Sequence, residues 1–270
     1  MKKLFILLVL IPFFSCEKVV NVDLDEAAPR LVIDAAIDWE KGTLGNRQEI
    51  KLSTSTGFYN TDIPTVSGAV ITVTNMDTNQ VFSFAEENPG SYICNDFIPV
   101  LQQNYKLIVI INGQRYEAVE KLLAVPEITR VEQRSDVGFS GEDIEVKFFF
   151  NDNPNENNFY LDRYQSPTNA FPLFDTFDDR FTQGNEMFSL FFDEDIKQGD
   201  ELEISLYGIS ETYFNYMSIL IGQTGINNGG PFQTPPATVR GNIVNQTNFS
   251  NFCFGYFRCT EFVKQSYTIQ

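Results

Sequence analysis

A mainly β protein is predicted, arranged as two consecutive β-sandwich domains, the second with one inserted helix. Three observations predict it. Short runs of alternating apolar and polar residues recur along most of the chain. Turn residues separate them about every ten positions, the spacing of a sandwich. Helical periodicity shows in one segment, near 210–221.

Residues 1–16 form the first element. Lys2 and Lys3 precede a run from Leu4 to Phe14 that is apolar apart from Pro12, and Ser15-Cys16 closes it. This is the pattern of a secretory leader, and it is shorter than the roughly 20 residues of a membrane-spanning helix. Cysteine after a small residue at the cleavage point resembles a bacterial lipobox, so Cys16 is expected to become the first mature residue and to carry lipid. Acyl chains anchor stably because each buried methylene contributes about 0.8 kcal/mol. Residues 17–29 then read as a tether.

The first β domain is expected over 30–126. Strands are predicted from Leu31 to Ile37, Gln48 to Ser53, Ser67 to Thr74 and Val81 to Phe84. Asn75 to Asn79 and Asn88-Pro89-Gly90 supply turn chemistry between them. The clearest local signal is Asn112-Gly113 between two strand-like runs within Tyr105 to Val119. Asn-Gly provides the two positive φ angles of a type I′ turn and so predicts a hairpin. Val125-Pro126 ends the domain, because proline cannot donate to a β ladder.

The second domain is expected over 127–270. Its predicted strands run from Ile144 to Phe150, Asn158 to Tyr164, Met187 to Phe192, Leu202 to Tyr207, Thr238 to Val244, Phe252 to Arg258 and Phe262 to Ile269. In the helix, Ser210 caps, Glu211 suits the positive end of the dipole and Gly222 closes. Tyr213, Tyr216, Met217 and Leu220 fall on one face, which is expected to pack on the sheet. Residues 165–185 and 223–237 read as long loops, the usual carriers of function.

Charge and composition narrow the function. The sequence has 19 basic against 36 acidic residues, a net charge of −17, and no histidine. Such a surface repels nucleic acid and anionic lipid, so nucleic acid is not an expected partner. Without imidazole there is no Ser-His or Cys-His pair and no histidine zinc site. Once Cys16 is lipidated, Cys94, Cys253 and Cys259 remain; they are expected to be small buried apolar residues, with no cofactor or metal.

Several clusters are candidates for a site. Asn151 to Glu156 offers alternating oxygen ligands but has Glu156 where a calcium loop needs glycine, so it reads as a polar turn. Asp175, Asp178 and Asp179 with Arg180, and Asp193 to Asp195, are loop acids that could serve carboxylate catalysis only if a pocket held them. Phe171, Phe174, Phe177 and Phe181 interleave with polar residues and suit either a ligand face or a core roof. The ligand-binding set expected from the long loops is Phe174, Phe177, Asp178, Asp179, Phe232 and Arg240, with Arg240 paired to a loop acid.

A resemblance adds to this reading. It rests on Ser15-Cys16-Glu17-Lys18, on Val66 to Val73 with Asn88 to Tyr92, on Gly208-Ile209-Ser210 and, most specifically, on Pro231 to Ile243 followed by Gly255-Tyr256-Phe257. Over the whole mature chain these segments resemble the Bacteroidota outer-membrane lipoproteins grouped as domain of unknown function 4249. The resemblance implies an immunoglobulin-like first sandwich, a second β domain and a TonB-dependent receptor as partner, and it brings no catalytic residues. The expectation is a non-enzymatic, lipid-anchored nutrient-binding accessory in the outer membrane, on either its surface or its periplasmic face. The alternative is a structural or adhesive surface protein, and a carboxylate-dependent hydrolase is the remaining reading.

Overall fold

The structure, a computed structural model, describes residues 28–57, 60–137, 143–223 and 238–270. Cys16, Phe232, nearly all of the tether and the loop expected over 223–237, Gln223 aside, lie outside the described residues. Seven strands come first: β1 (Leu31–Glu40), β2 (Gln48–Thr54), β3 (Val70–Asn75), β4 (Val81–Asn88), β5 (Ser91–Cys94), β6 (Asn104–Ile111) and β7 (Gln114–Lys121). Then follow β8 (Ile128–Val137), β9 (Asp143–Asn151), β10 (Phe159–Gln165), β11 (Leu173–Asp178), β12 (Glu186–Asp193) and β13 (Glu201–Ile209). Helix α1 (Glu211–Gln223), β14 (Val244–Asn245) and β15 (Phe254–Thr268) come last. The protein is mainly β, with sandwich-like sheets. Among the described residues no helix is long and apolar enough to cross a membrane.

Twelve strands form one continuous ladder in the order β11-β10-β13-β15-β1-β2-β5-β4-β3-β6-β7-β14, and β12-β9-β8 form a separate sheet. The long ladder folds over itself at β4, whose first half pairs with β3 and whose second half pairs with β5 across a register shift. Alternation places Ile33, Ala35 and Ile37 of β1 in the first core, together with Leu107 and Val109 of β6. The hairpin from β6 to β7 turns at Asn112 (φ 49°) and Gly113 (φ 70°), as the Asn-Gly pair requires. A second core lies between β10-β13-β15 and the three-stranded sheet. It gathers Phe148 and Phe150 of β9, Tyr160 and Tyr164 of β10, and Leu202, Ile204 and Leu206 of β13.

The last strand departs from the sequence expectation. Two strands are predicted over 252–258 and 262–269, but β15 is one strand of 15 residues, because burial continues through Cys259-Thr260-Glu261 without a turn. Its first part pairs in parallel with β1, from Val32↔Phe254 to Glu40↔Phe262. Its second part pairs antiparallel with β13, from Tyr207↔Phe262 to Glu201↔Thr268. The stretch 127–270 therefore supplies both sandwiches: Ile243, Cys253, Phe257 and Cys259 lie in the first core, and β14 pairs with β7.

Other differences have local causes. The strand expected over 238–244 is reduced to Val244–Asn245. Asn242 replaces the ladder there, its amide accepting from the Phe257 N–H at 2.9 Å and donating to the Phe257 carbonyl at 2.8 Å. The loop expected over 165–185 contains β11, an edge strand paired with β10 from Phe159↔Asp178 to Tyr164↔Leu173. Strand β8 carries no clear periodic signal, since its sequence ITRVEQRSDV is mostly polar. The three described cysteines are free and buried, as expected.

Candidate functional site

Alternation along β1 sends Val32, Asp34 and Asp38 to the face opposite the first core. The parallel register sets Tyr256 of β15 beside Asp34, and Arg258 beside Ala36. Further across the same sheet stand Tyr207 of β13, Leu161 and Arg163 of β10, and Phe174 of β11. Gly255 allows β15 to approach β1 this closely: its φ is +93°, and a Cβ there would lie 2.0 Å from the Ile33 carbonyl oxygen.

Helix α1 covers part of this face. Ser210 caps it, accepting the Tyr213 N–H at 3.2 Å. Tyr213 and Met217 are buried in a cluster with Leu161, Tyr207 and Tyr256, as the sequence periodicity predicts. A hydrogen bond of 2.8 Å between the Thr176 and Ser218 hydroxyls fastens the helix to β11. Between helix and sheet a cavity of about 550 Å³ remains, lined on its polar and aromatic side by Asp38, Arg258, Phe174, Tyr207, Tyr216 and Tyr256.

The cavity is aromatic with a fixed polar pair. The Tyr213 and Tyr256 ring centroids are 4.7 Å apart, and those of Tyr216 and Tyr256 are 4.9 Å apart. Arg258 grips Asp38 with both arms, at 2.6 and 3.0 Å, and donates to the Tyr213 hydroxyl at 3.0 Å. Burial opposes the charge on Arg258, but Asp38 outweighs it and holds the guanidinium ionised. Arg163, also at the cavity, is paired with Glu203 at 2.6 Å. Burial pushes the phenols of Tyr207 and Tyr216 up to about 12, so both remain neutral hydroxyls at ordinary pH. The arrangement offers ring faces for stacking and hydroxyl, carboxylate and guanidinium groups for hydrogen bonding.

The expected site residues divide. Phe174 lines the cavity. Arg240 lies at a neighbouring cavity of about 420 Å³ that shares Tyr216 and Tyr256. It does not pair with a loop acid, as its charge alone suggests; its guanidinium stacks 3.7 Å above the Phe252 ring, with Arg30 3.9 Å from the same ring. Phe177 is packed against the second core, 5.8 Å from Phe150 and 5.6 Å from Tyr160 between ring centroids. Asp178 is bound to Arg180 at 2.6 Å, which lowers its pKa. Asp179 is fully buried and does not line the cavity. Sequence reasoning missed Asp38, Arg258 and Tyr256, because only the parallel pairing of β1 with β15 brings them together.

A family model described as Domain of unknown function (DUF4249) matches residues 17–266. The chain belongs to that family. No curated protein matches this DUF4249 chain. Among solved structures, it is similar to a two fibronectin type-III domain segment from chicken tenascin, at 10% identity, covering 67% of this chain and 90% of that one with a TM-score of 0.22. The chicken CNTN1 FN1–FN3 domains match at 15% identity over 60% of this chain and 56% of that one, TM-score 0.24. A DUF4785 family protein from Legionella pneumophila matches at 8% identity over 66% and 52%, TM-score 0.26.

Proposed function

We propose that the protein is a non-enzymatic, lipid-anchored lipoprotein of a Bacteroidota outer membrane that captures a nutrient in the tyrosine-lined cavity. In this reading it serves a TonB-dependent receptor as an accessory partner. The observation that carries the reading is the cavity itself: four tyrosines and Phe174 around the Asp38–Arg258 pair, at a volume suited to a small ligand. The leader ending in Ser15-Cys16 supports the anchor. The ligand class that fits is neutral and polyhydroxylated, with an apolar face to stack and hydroxyls to bond.

Titration with a panel of neutral oligosaccharides, followed by thermal shift, tests the capture. At least one should raise the melting temperature, and Phe174→Ala should weaken its binding by about tenfold, the loss expected for one stacking contact. Mass spectrometry of membrane-extracted protein should find Cys16 acylated, and a β-barrel receptor should co-purify. A second reading, a structural or adhesive surface protein, draws on the edge strand β12, where Phe188, Leu190 and Phe192 stand exposed on one face. Failure of every ligand together with absence of a receptor would favour it.

A further inference from the structure

At one end of the second sandwich two loops meet, the β9–β10 connection and the β11–β12 connection. Asp152 follows β9, Asn158 precedes β10, Asp179 follows β11, and Thr182 precedes β12. Short hydrogen bonds hold them in place. The Asn158 N–H donates to Asp179 Oδ2 at 2.8 Å and the Gly184 N–H to Asp152 Oδ2 at 2.8 Å. The Thr182 N–H donates to the Asp179 carbonyl at 2.7 Å, and the Asp152 N–H to the Asn185 carbonyl at 3.1 Å.

Three oxygens in this cluster are buried with no hydrogen-bond partner among the described residues: Asn158 Oδ1, Asp179 Oδ1 and Thr182 Oγ1. Asp179 has no solvent exposure, and Asp152 has 5%. An unpartnered buried carboxylate oxygen is costly, so a native structure holding one calls for a partner from outside the chain, and a cation is the partner that would also offset the two carboxylate charges. Arg180 does not supply it, being held by Asp178. Burial, then the charge of Asp152, raises the pKa of Asp179.

We propose that Asp152, Asn158, Asp179 and Thr182 bind a hard divalent cation, calcium, at this end of the second sandwich. The donor set is all oxygen, as calcium prefers, and two carboxylates balance its charge. Among the described residues no three acidic, histidine or cysteine side chains gather as a metal cluster; here two carboxylates act with neutral amide and hydroxyl oxygens. Asp152 comes from the segment with alternating oxygen ligands and Asn158 from the end of the same loop, while Asp179 and Thr182 come from the β11–β12 loop. The Tyr160 hydroxyl donates to Asp152 Oδ1 at 2.6 Å and helps to fix the orientation of that carboxylate.

Calcium titration of EDTA-treated protein at neutral pH tests the site, read by thermal unfolding and by tyrosine-sensitised terbium emission. Calcium at about tenfold over its dissociation constant should raise the melting temperature by roughly 3–6 °C. Terbium should luminesce through Tyr160 and be displaced by calcium. Asp179→Asn should abolish both responses, and Asp178→Asn should keep them. Should Asp179→Asn fail to fold, Thr182→Val should weaken calcium binding by roughly tenfold with the charges unaltered. No calcium shift and no terbium emission in the unsubstituted protein would overturn the proposal. So would stabilisation by acid alone, which would assign the gap to a proton.

Discussion

Asp162 has no solvent exposure, yet it shares a strand face with Tyr160 and Tyr164 of the second core. It accepts the Asp175 N–H at 2.7 Å and the Ser189 hydroxyl, and Ser189 in turn accepts the Tyr164 hydroxyl at 2.8 Å. Burial pushes its pKa up to about 7. The folded protein therefore holds this proton more tightly than the unfolded chain does. Its contribution to stability is complete below about pH 4 and is lost as pH rises through about 7. Asp162→Asn should flatten that part of the profile, by about a few kcal/mol at most, when urea unfolding is compared with the unsubstituted protein across this range. At this scale the sequence was partly legible. Phe174 and Phe177 interleave with polar neighbours alike, yet Phe174 lines the cavity and Phe177 packs against the second core. Interleaving alone does not tell which side of an edge strand faces solvent.

Individual elements were legible where their signal is local. The Asn112-Gly113 hairpin needs only the φ values of its own two residues, and helix α1 needs only its cap and its apolar face. Strand β8 lacked a signal because its faces are nearly all polar, and β11 was hidden in a Pro- and Asp-containing stretch. The continuity of β15 depends on a partner near the other end of the sequence, Val32 for Phe254, which no local window contains. Two glycines separate these cases. A Cβ on Gly113 meets no atom within 4 Å, so Gly113→Ala should cost about 1 kcal/mol, from its φ alone. Gly255→Ala would place a methyl group against the Ile33 backbone and should cost at least about 2 kcal/mol. Denaturant midpoints of the two variants check the contrast.

For the whole molecule, the division of labour between the sandwiches is set by the last strand. Leu122 belongs to the first core and Val125 to the second. At this crossing buried Glu261 of β15 accepts the Val125 N–H at 3.0 Å and pairs with Lys41 at 3.3 Å. A fragment of residues 30–126 would lack the β15 partner of β1 and the side chains of Ile243, Cys253, Phe257 and Cys259. It should show no cooperative unfolding transition by circular dichroism, and adding residues 238–270 as a separate peptide should restore one.

That dependence orders events in time. The opening strand is made early and finds its parallel neighbour only when β15 emerges from the ribosome, so synthesis cannot finish one half before starting the other. A nascent chain of this design lacks the closing strand of both sandwiches until that late segment arrives.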